Sequence, residues 1–215
     1  MKKSLIVVFA IAMATTTNVN AQYQDNQHDP RLDLKFGLKA GFNYTNVWDS
    51  KGEDFVANPR FGFAGGFFAS IPIGATLGFQ PEILFSQKGF QAAGTLLGEP
   101  YSFERRTNYL DLPLQLQIKP TSFLTLLAGP QYSWLINESN EYNFWGNIVG
   151  QEDVFNSDKL RRSMLGFVTG LDLYFKNIVV SGRYGWDFQS NYNDGISATP
   201  RYKNRWLQFT VGLSL

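Results

Sequence analysis

Cysteine is absent from the 215-residue chain, and histidine occurs once, as His28. Without cysteine, disulfides, thiol nucleophiles and thiolate metal sites are excluded, so stability must come from burial and hydrogen bonding. A Ser-His hydrolase needs a histidine base beside its serine, and His28 lies in an N-terminal stretch ahead of the pattern described below. We therefore expect no enzyme and no catalytic, cofactor-binding or metal-binding residues.

The chain also lacks a strong net charge and a long apolar run. Its formal charge is +1, so no basic field is present to attract nucleic acid. Apart from the N-terminus, no apolar stretch is long enough for a membrane helix. Aromatic residues nevertheless make up 16% of the chain. If such a protein crosses a membrane, it must do so with strands.

The N-terminus has the features of an export signal. Met1 to Lys3 form a basic start, and Ser4 to Ala14 form an apolar segment too short to span a bilayer. The small residues Val19 and Ala21 stand at the −3 and −1 positions of a plausible cleavage site. The sequence thus predicts a cleaved signal peptide over residues 1–21 and a mature protein outside the cytoplasm.

Apolar and polar residues alternate along eight later segments, with Leu84 an apolar exception on the polar side of the third. In the clearest one, leucine or isoleucine occupies every even position from Leu110 to Ile118. These segments are 11 to 14 residues long, which suits a tilted membrane strand of about 9 to 11 residues better than a soluble strand of about 5 to 6. The segments are Leu34–Thr45, Arg60–Ile71, Ala75–Lys88, Asn108–Lys119, Leu124–Leu135, Met164–Phe175, Ile178–Phe188 and Arg205–Leu215.

Short and long connections alternate between these segments. The short links are residues 72–74, 120–123 and 176–177, and the long ones are 48–59, 89–104, 136–162 and 189–204. Outer-membrane barrels have short periplasmic turns and longer external loops. The pattern predicts an all-β, closed up-and-down antiparallel transmembrane β-barrel of about eight strands. Residues 34–215 would form it, after a periplasmic N-terminal lead of residues 22–33.

In such a barrel the apolar face meets lipid and the polar face lines a narrow lumen. We expect a polar network in the lumen, formed by Lys39, Glu82, Asp111, Asp172, Arg183 and Asp187. Pairing for stability is the favoured interpretation of these charges, and a polar pathway or a substrate-contacting carboxylate cluster is the alternative. Leu114→Arg, on the lipid face, should then destabilise the barrel more than Gln115→Arg, which enters the polar lumen. The prolines Pro81, Pro113 and Pro130 predict local bulges or kinks, since each lacks a ladder donor.

Several motifs support a family assignment. The more specific ones are Gln80-Pro81-Glu82 and Tyr109-Leu110-Asp111-Leu112-Pro113, and weaker ones lie at residues 37–41, 86–89 and 128–130. With these motifs the chain resembles the PorT-type family of small outer-membrane β-barrels found in Bacteroidetes. The resemblance implies an outer-membrane location. PorT itself is linked to type IX protein secretion, whereas most relatives have no assigned role.

These observations predict an integral outer-membrane barrel with a structural, adhesive or secretion-accessory role. Its partners would be outer-membrane lipid and, through the loops, envelope or secretion-system proteins. The link over residues 136–162 mixes acidic and aromatic residues and is either a recognition surface or a solvated extension of the hairpin. Two other functions remain open: a small porin-like pore for ions or solutes, and a soluble lipocalin-like carrier with apolar residues inside.

Overall fold

A computed structural model of the chain describes residues 29–49, 57–96, 99–144, 147–154, 161–191 and 202–215. The predicted signal peptide and residues 22–28 of the predicted lead, including His28, lie outside these ranges. No helix within them has the length and apolar character needed to cross a membrane. A short 3-10 turn, Pro30–Leu32, precedes the first strand.

The described residues form nine strands in one antiparallel sheet. They are β1 Lys35–Asp49, β2 Arg60–Pro72, β3 Leu77–Leu96, β4 Glu99–Ile118, β5 Leu124–Phe144, β6 Asn147–Val154, β7 Ser163–Phe175, β8 Ile178–Asp187 and β9 Tyr202–Ser214. Eight of them close a ring in the order β1-β2-β3-β4-β5-β7-β8-β9, with β9 pairing back to β1. The predicted closed up-and-down barrel of eight strands is confirmed, and each barrel edge is paired, as a membrane requires.

The apolar side chains point outward. On β4, Leu110, Leu112, Leu114 and Leu116 are 38–63% exposed, while the residues between them are buried. Charged and amide side chains fill the interior instead. A lipocalin-like carrier would have the opposite arrangement, so that interpretation is wrong. Outward aromatic rings contact each other near the long-loop end, as in Tyr44 and Phe61, whose ring centroids lie 4.9 Å apart, and this is where interfacial girdles occur.

Three strands continue well past the barrel at the long-loop end. The connections predicted at 89–104 and 136–162 are largely strand: β3 and β4 extend to a link at residues 97–98, and β5 extends to Phe144 and pairs with β6. Residues 89–96, 99–108, 137–144 and 147–154 thus form a four-stranded projecting sheet. At roughly 3.3 Å per residue, eight residues reach about 25 Å beyond the barrel.

Two backbone irregularities mark the place where the projecting sheet leaves the barrel. Gly89 has a φ of 146°, and a Cβ there would lie 2.0 Å from the Arg105 carbonyl oxygen, so only glycine fits. In the β4–β5 ladder Asn108 pairs with Asn137 and Tyr109 with Leu135, which leaves Ile136 as an extra residue on β5. Such bulges bend a strand. The boundary between the barrel and the projecting sheet is thus marked on both β3 and β5.

The three prolines interrupt ladders without adding residues. The gaps inside these ladders are at 69–70 opposite 80–81, 82–83 opposite 112–113, and 114–115 opposite 129–130, and the β2–β3 ladder ends at Ala64–Ser86. Phe68 pairs with Glu82 before the first gap and Ile71 with Phe79 after it, so the register is unchanged. The expectation of bulges at the prolines is wrong. Each proline removes a donor locally, and the neighbouring pairs on both sides hold the strands in register.

Candidate functional site

The middle of the lumen holds a cluster of four charged residues, Lys39, Glu82, Asp172 and Arg183, here called the mid-lumen cluster. The Lys39 Nζ lies 2.6 Å from Glu82 Oε1, and the Arg183 Nη2 lies 2.7 Å from Asp172 Oδ1 and 3.5 Å from Glu82 Oε1. These side chains come from β1, β3, β7 and β8. Two cations and two carboxylates balance in charge, so the cluster joins four strands across the barrel.

Amide side chains add hydrogen bonds to this cluster. Gln80 Nε2 donates to Glu82 Oε1 and Asp172 Oδ2 at 2.8 and 3.0 Å, and Arg183 Nε donates to Gln115 Oε1 at 3.1 Å. Gln117 donates to Gln80 Oε1. Such hydrogen bonds offset part of the cost of burying the charges. The network predicted from the sequence contained only charged residues. It omitted these glutamines because an uncharged side chain on a polar face does not indicate a buried contact.

Nearer the long-loop end, Lys88 and Asp111 form an upper cluster with two aromatic rings. Lys88 Nζ lies 3.1 Å from Asp111 Oδ2 and 3.3 Å from Ser133 Oγ. It also lies 3.9 Å from the centroid of a Trp206 ring and 4.9 Å from the Tyr109 ring. Cation–π contacts strengthen when they are desolvated. Trp206 occupies an inward position of β9. The sequence alone does not indicate that its ring contacts the Lys88 ammonium.

Asp187 lies apart from these ion pairs, at the end of β8. Its Oδ2 accepts a hydrogen bond of 2.7 Å from Asn204 Nδ2, while its Oδ1 is buried without a hydrogen-bond partner among the described residues. The six predicted lumen residues are therefore all buried, but they divide into the mid-lumen cluster, the Lys88–Asp111 pair and this carboxylate.

The mouth of the lumen is covered by the inner face of the projecting sheet. Arg105 Nε on β4 lies 3.0 Å from Glu138 Oε1 and 2.9 Å from Asn140 Oδ1, both on β5, and Arg105 Nη1 lies 3.4 Å from the Tyr202 hydroxyl of β9. The Phe90 ring packs edge-on against Tyr202 at 5.1 Å. These five residues, here called the cap, connect the sheet to the opposite wall of the barrel.

The lumen is closed to water at several levels. Lys88, Gln80, Gln115 and Gln117 are 0% exposed, and the mid-lumen cluster is 1–4% exposed. Among the described residues, the charged groups of the lumen therefore have almost no surface that a water molecule can touch. A substrate has no access to Glu82 or Asp172, and both carboxylates are already held by Arg183.

A family model agrees with this architecture. The model described as outer membrane protein beta-barrel domain matches residues 20–193 of the chain, which is most of its length. A search of curated proteins finds no significant sequence match.

Solved barrel structures align over most of the chain at low identity. Ail, the attachment invasion locus protein of Yersinia pestis, is 13% identical over 85% of this chain and 99% of its own, with a TM-score of 0.46. OprG of Pseudomonas aeruginosa is 14% identical over 86% and 97%, with a TM-score of 0.38. The outer membrane protease OmpT of Escherichia coli is 11% identical over 85% and 96%, with a TM-score of 0.39. Similarity at this level says nothing about what the chain binds or does.

Proposed function

The chain belongs to the outer membrane protein β-barrel domain family, and we propose that it is a closed, non-catalytic outer-membrane anchor that presents its projecting sheet to a partner. The outer membrane is its location. The role we propose is structural, adhesive or accessory to secretion. The filled lumen is the observation that carries the proposal, because a barrel packed with buried ion pairs holds its strands rigidly and leaves no aqueous path.

The projecting sheet supports a recognition role. Binding surfaces commonly lie on segments held by a rigid scaffold, and this sheet continues three barrel strands without interruption. Residues 89–108 and 137–154 contain six acidic and two basic residues, a net charge of −4. Electrostatic complementarity then favours a partner with a basic surface, whose association would weaken as salt is raised.

The N-terminal segment and two sequence motifs extend the proposed role. Export by a signal peptide cleaved after Ala21 would deliver the chain to the envelope, and residues 22–33 would form the periplasmic lead. The Gln80-Pro81-Glu82 and Tyr109 to Pro113 motifs support a PorT-type member of the family, and a partner from a type IX secretion system is one form of the accessory role.

Conductance of the purified barrel in planar bilayers tests the closed lumen. We expect no single-channel steps above the bare-bilayer baseline, with a general porin as the positive control for the assay. Protease treatment of the protein in lipid vesicles, with cleavage confined to the projecting sheet and the barrel strands protected, establishes that the protein is inserted. Regular conductance steps from inserted protein would favour the small porin-like pore and refute the anchor.

The projecting sheet is tested separately by shortening it. In the variant, residues 90–105 and 139–154 are each replaced by a two-residue turn, and heat-dependent gel mobility reports whether the barrel still folds. We expect envelope proteins that co-purify with the parent in mild detergent, and are released by salt, to be lost with the variant. Retention of every such protein by a folded variant would contradict a role for the sheet.

A further inference from the structure

A small polar pocket lies at the opposite end of the barrel, where the turns are short. It has a volume of about 10 Å³, which admits one water-sized group, and its lining includes Arg31, Lys35, Lys119 and Tyr174. The described residues that line it include no carboxylate. This end faces the periplasm, because short turns lie on that side in outer-membrane barrels.

The pocket has more hydrogen-bond donors than acceptors. Lys119 Nζ donates once, to the Arg31 carbonyl oxygen at 2.9 Å, and an ammonium has three donors. Lys35 Nζ lies 4.9 Å from the centroid of the Tyr174 ring. The Tyr174 hydroxyl is buried near the Ser70 side chain and makes no well-aligned hydrogen bond with the described residues. A buried donor left in this state is costly unless a ligand or water accepts from it.

The carboxylates of Asp29 and Asp33 lie near Lys119 but do not line the pocket. Arg31 is already engaged by Asp29, since its Nε and Nη2 lie 2.9 and 2.7 Å from Asp29 Oδ2. Burial, followed by the nearby ammonium of Lys35, lowers the pKa of Lys119, while the carboxylates of Asp33 and Asp29 act in the opposite direction. The net lowering indicates two cations close together in a partly desolvated site. An anion between them would relieve this repulsion.

We propose that this periplasmic pocket binds an oxyanion, with one carboxylate or phosphate oxygen held between Lys35 and Lys119 and accepting from the Tyr174 hydroxyl. The buried hydroxyls of Ser70 and Thr125 line the same pocket and limit its size. The lead closes one side through Pro30 and Arg31, so the ligand enters from the periplasm. The site lies at the other end of the barrel from the projecting sheet and does not depend on the sheet's role.

Line broadening of inorganic phosphate in ³¹P NMR tests the site, with the full mature chain in maltoside micelles. We expect broadening with the parent and at least tenfold weaker binding when Lys35→Gln and Lys119→Gln are combined. Lys176→Gln removes a lysine from the same end, where it lies in a turn outside the pocket, and should bind phosphate like the parent. Tyr174→Phe keeps the ring and should weaken binding about two- to tenfold through loss of one hydrogen bond.

Competition distinguishes the two sources of the oxyanion. Displacement of phosphate by acetate and by a tripeptide with a free C-terminus, but not by its amide, would assign the site to carboxylates. Persistence of phosphate binding against both would assign it to phosphate groups. The proposal is overturned if all variants broaden the phosphate line equally, or if none does. Since Tyr174→Phe retains every charge, it decides the question even if the double variant fails to fold.

Discussion

The two halves of the barrel wall are built differently. From β5 through β7, β8, β9 and β1 to β2, every ladder pairs without a gap over its described length. From β2 to β5, each of the three ladders loses two pairs beside a proline. The second half also supplies the strands of the projecting sheet. The same closed barrel thus combines a regular wall with an interrupted one.

The interrupted half compensates through its side chains. Four gap positions that face the lumen are Ser70, Gln80, Glu82 and Gln115. Three of them bond directly to the mid-lumen cluster or belong to it, and Ser70 donates to Gln117 at 3.0 Å. Strands that have lost backbone hydrogen bonds are therefore connected across the lumen to Lys39, Asp172 and Arg183 of the regular half. Where the ladder is weakest, the side-chain network is densest.

Removing the charge that joins the halves should have the largest effect. Glu82→Gln leaves Lys39 and Arg183 buried with one carboxylate between them, and breaking a buried pair in this way costs about 3–5 kcal/mol. Urea unfolding in lipid vesicles measures the change. The matched control is Glu104→Gln in the projecting sheet, whose pairs with Arg60 and Arg106 are partly exposed and contribute less than about 1 kcal/mol. Equal losses would mean that the network does not join the halves.

The lipid face should not distinguish the halves. Leu116→Arg on β4 and Leu171→Arg on β7 each place a cation against hydrocarbon, at a cost of about 2–4 kcal/mol near mid-depth. The free energy of unfolding of both variants in vesicles gives the comparison. A much greater loss at Leu116 would indicate that the interrupted wall, rather than lipid exposure, determines the cost on that side.

Restoring a ladder donor should produce the smallest effect, and a favourable one. Pro130→Val returns an N–H to the gap between β4 and β5 and gains about 0.5–1.5 kcal/mol, the net contribution of one hydrogen bond. Leu171→Val on the regular wall introduces the same side chain without changing the number of donors. Loss of stability in Pro130→Val beyond that of the control would show that the proline is needed for the shape of the wall.

The alternation of apolar and polar residues predicted the barrel, because successive side chains of a membrane strand face lipid and lumen in turn. The eight segments from Leu34 to Leu215 correspond to the eight barrel strands, with ends shifted by several residues. The projecting sheet was missed because strand outside the membrane need not alternate. Polar and apolar residues are mixed in its residues 89–104 and 136–154, and such a mixture is as typical of a loop as of a strand.

The alternation of polar and apolar residues does not predict which side chains pair inside the lumen. Charge identified Lys39, Glu82, Asp111, Asp172, Arg183 and Asp187, but which of them meet depends on the register of strands distant in sequence. The expected small effect of Gln115→Arg on stability illustrates this, because that expectation treated the lumen as polar without considering how tightly it is packed. Gln115 is fully buried and accepts from Arg183, so an arginine there would crowd a filled site with a second cation.

The continuity of β5 from the tip of the projecting sheet into the barrel has a mechanical consequence. A pull on the sheet along its length is transmitted to the eleven consecutive pairs between β5 and β7, from Leu124–Leu173 to Trp134–Ser163. The force acts parallel to the strands, so these hydrogen bonds are loaded in shear and share the tension, whereas peeling would break them one at a time. The β5–β7 ladder thus opposes extraction of β5 from the barrel when force is applied to the projecting sheet.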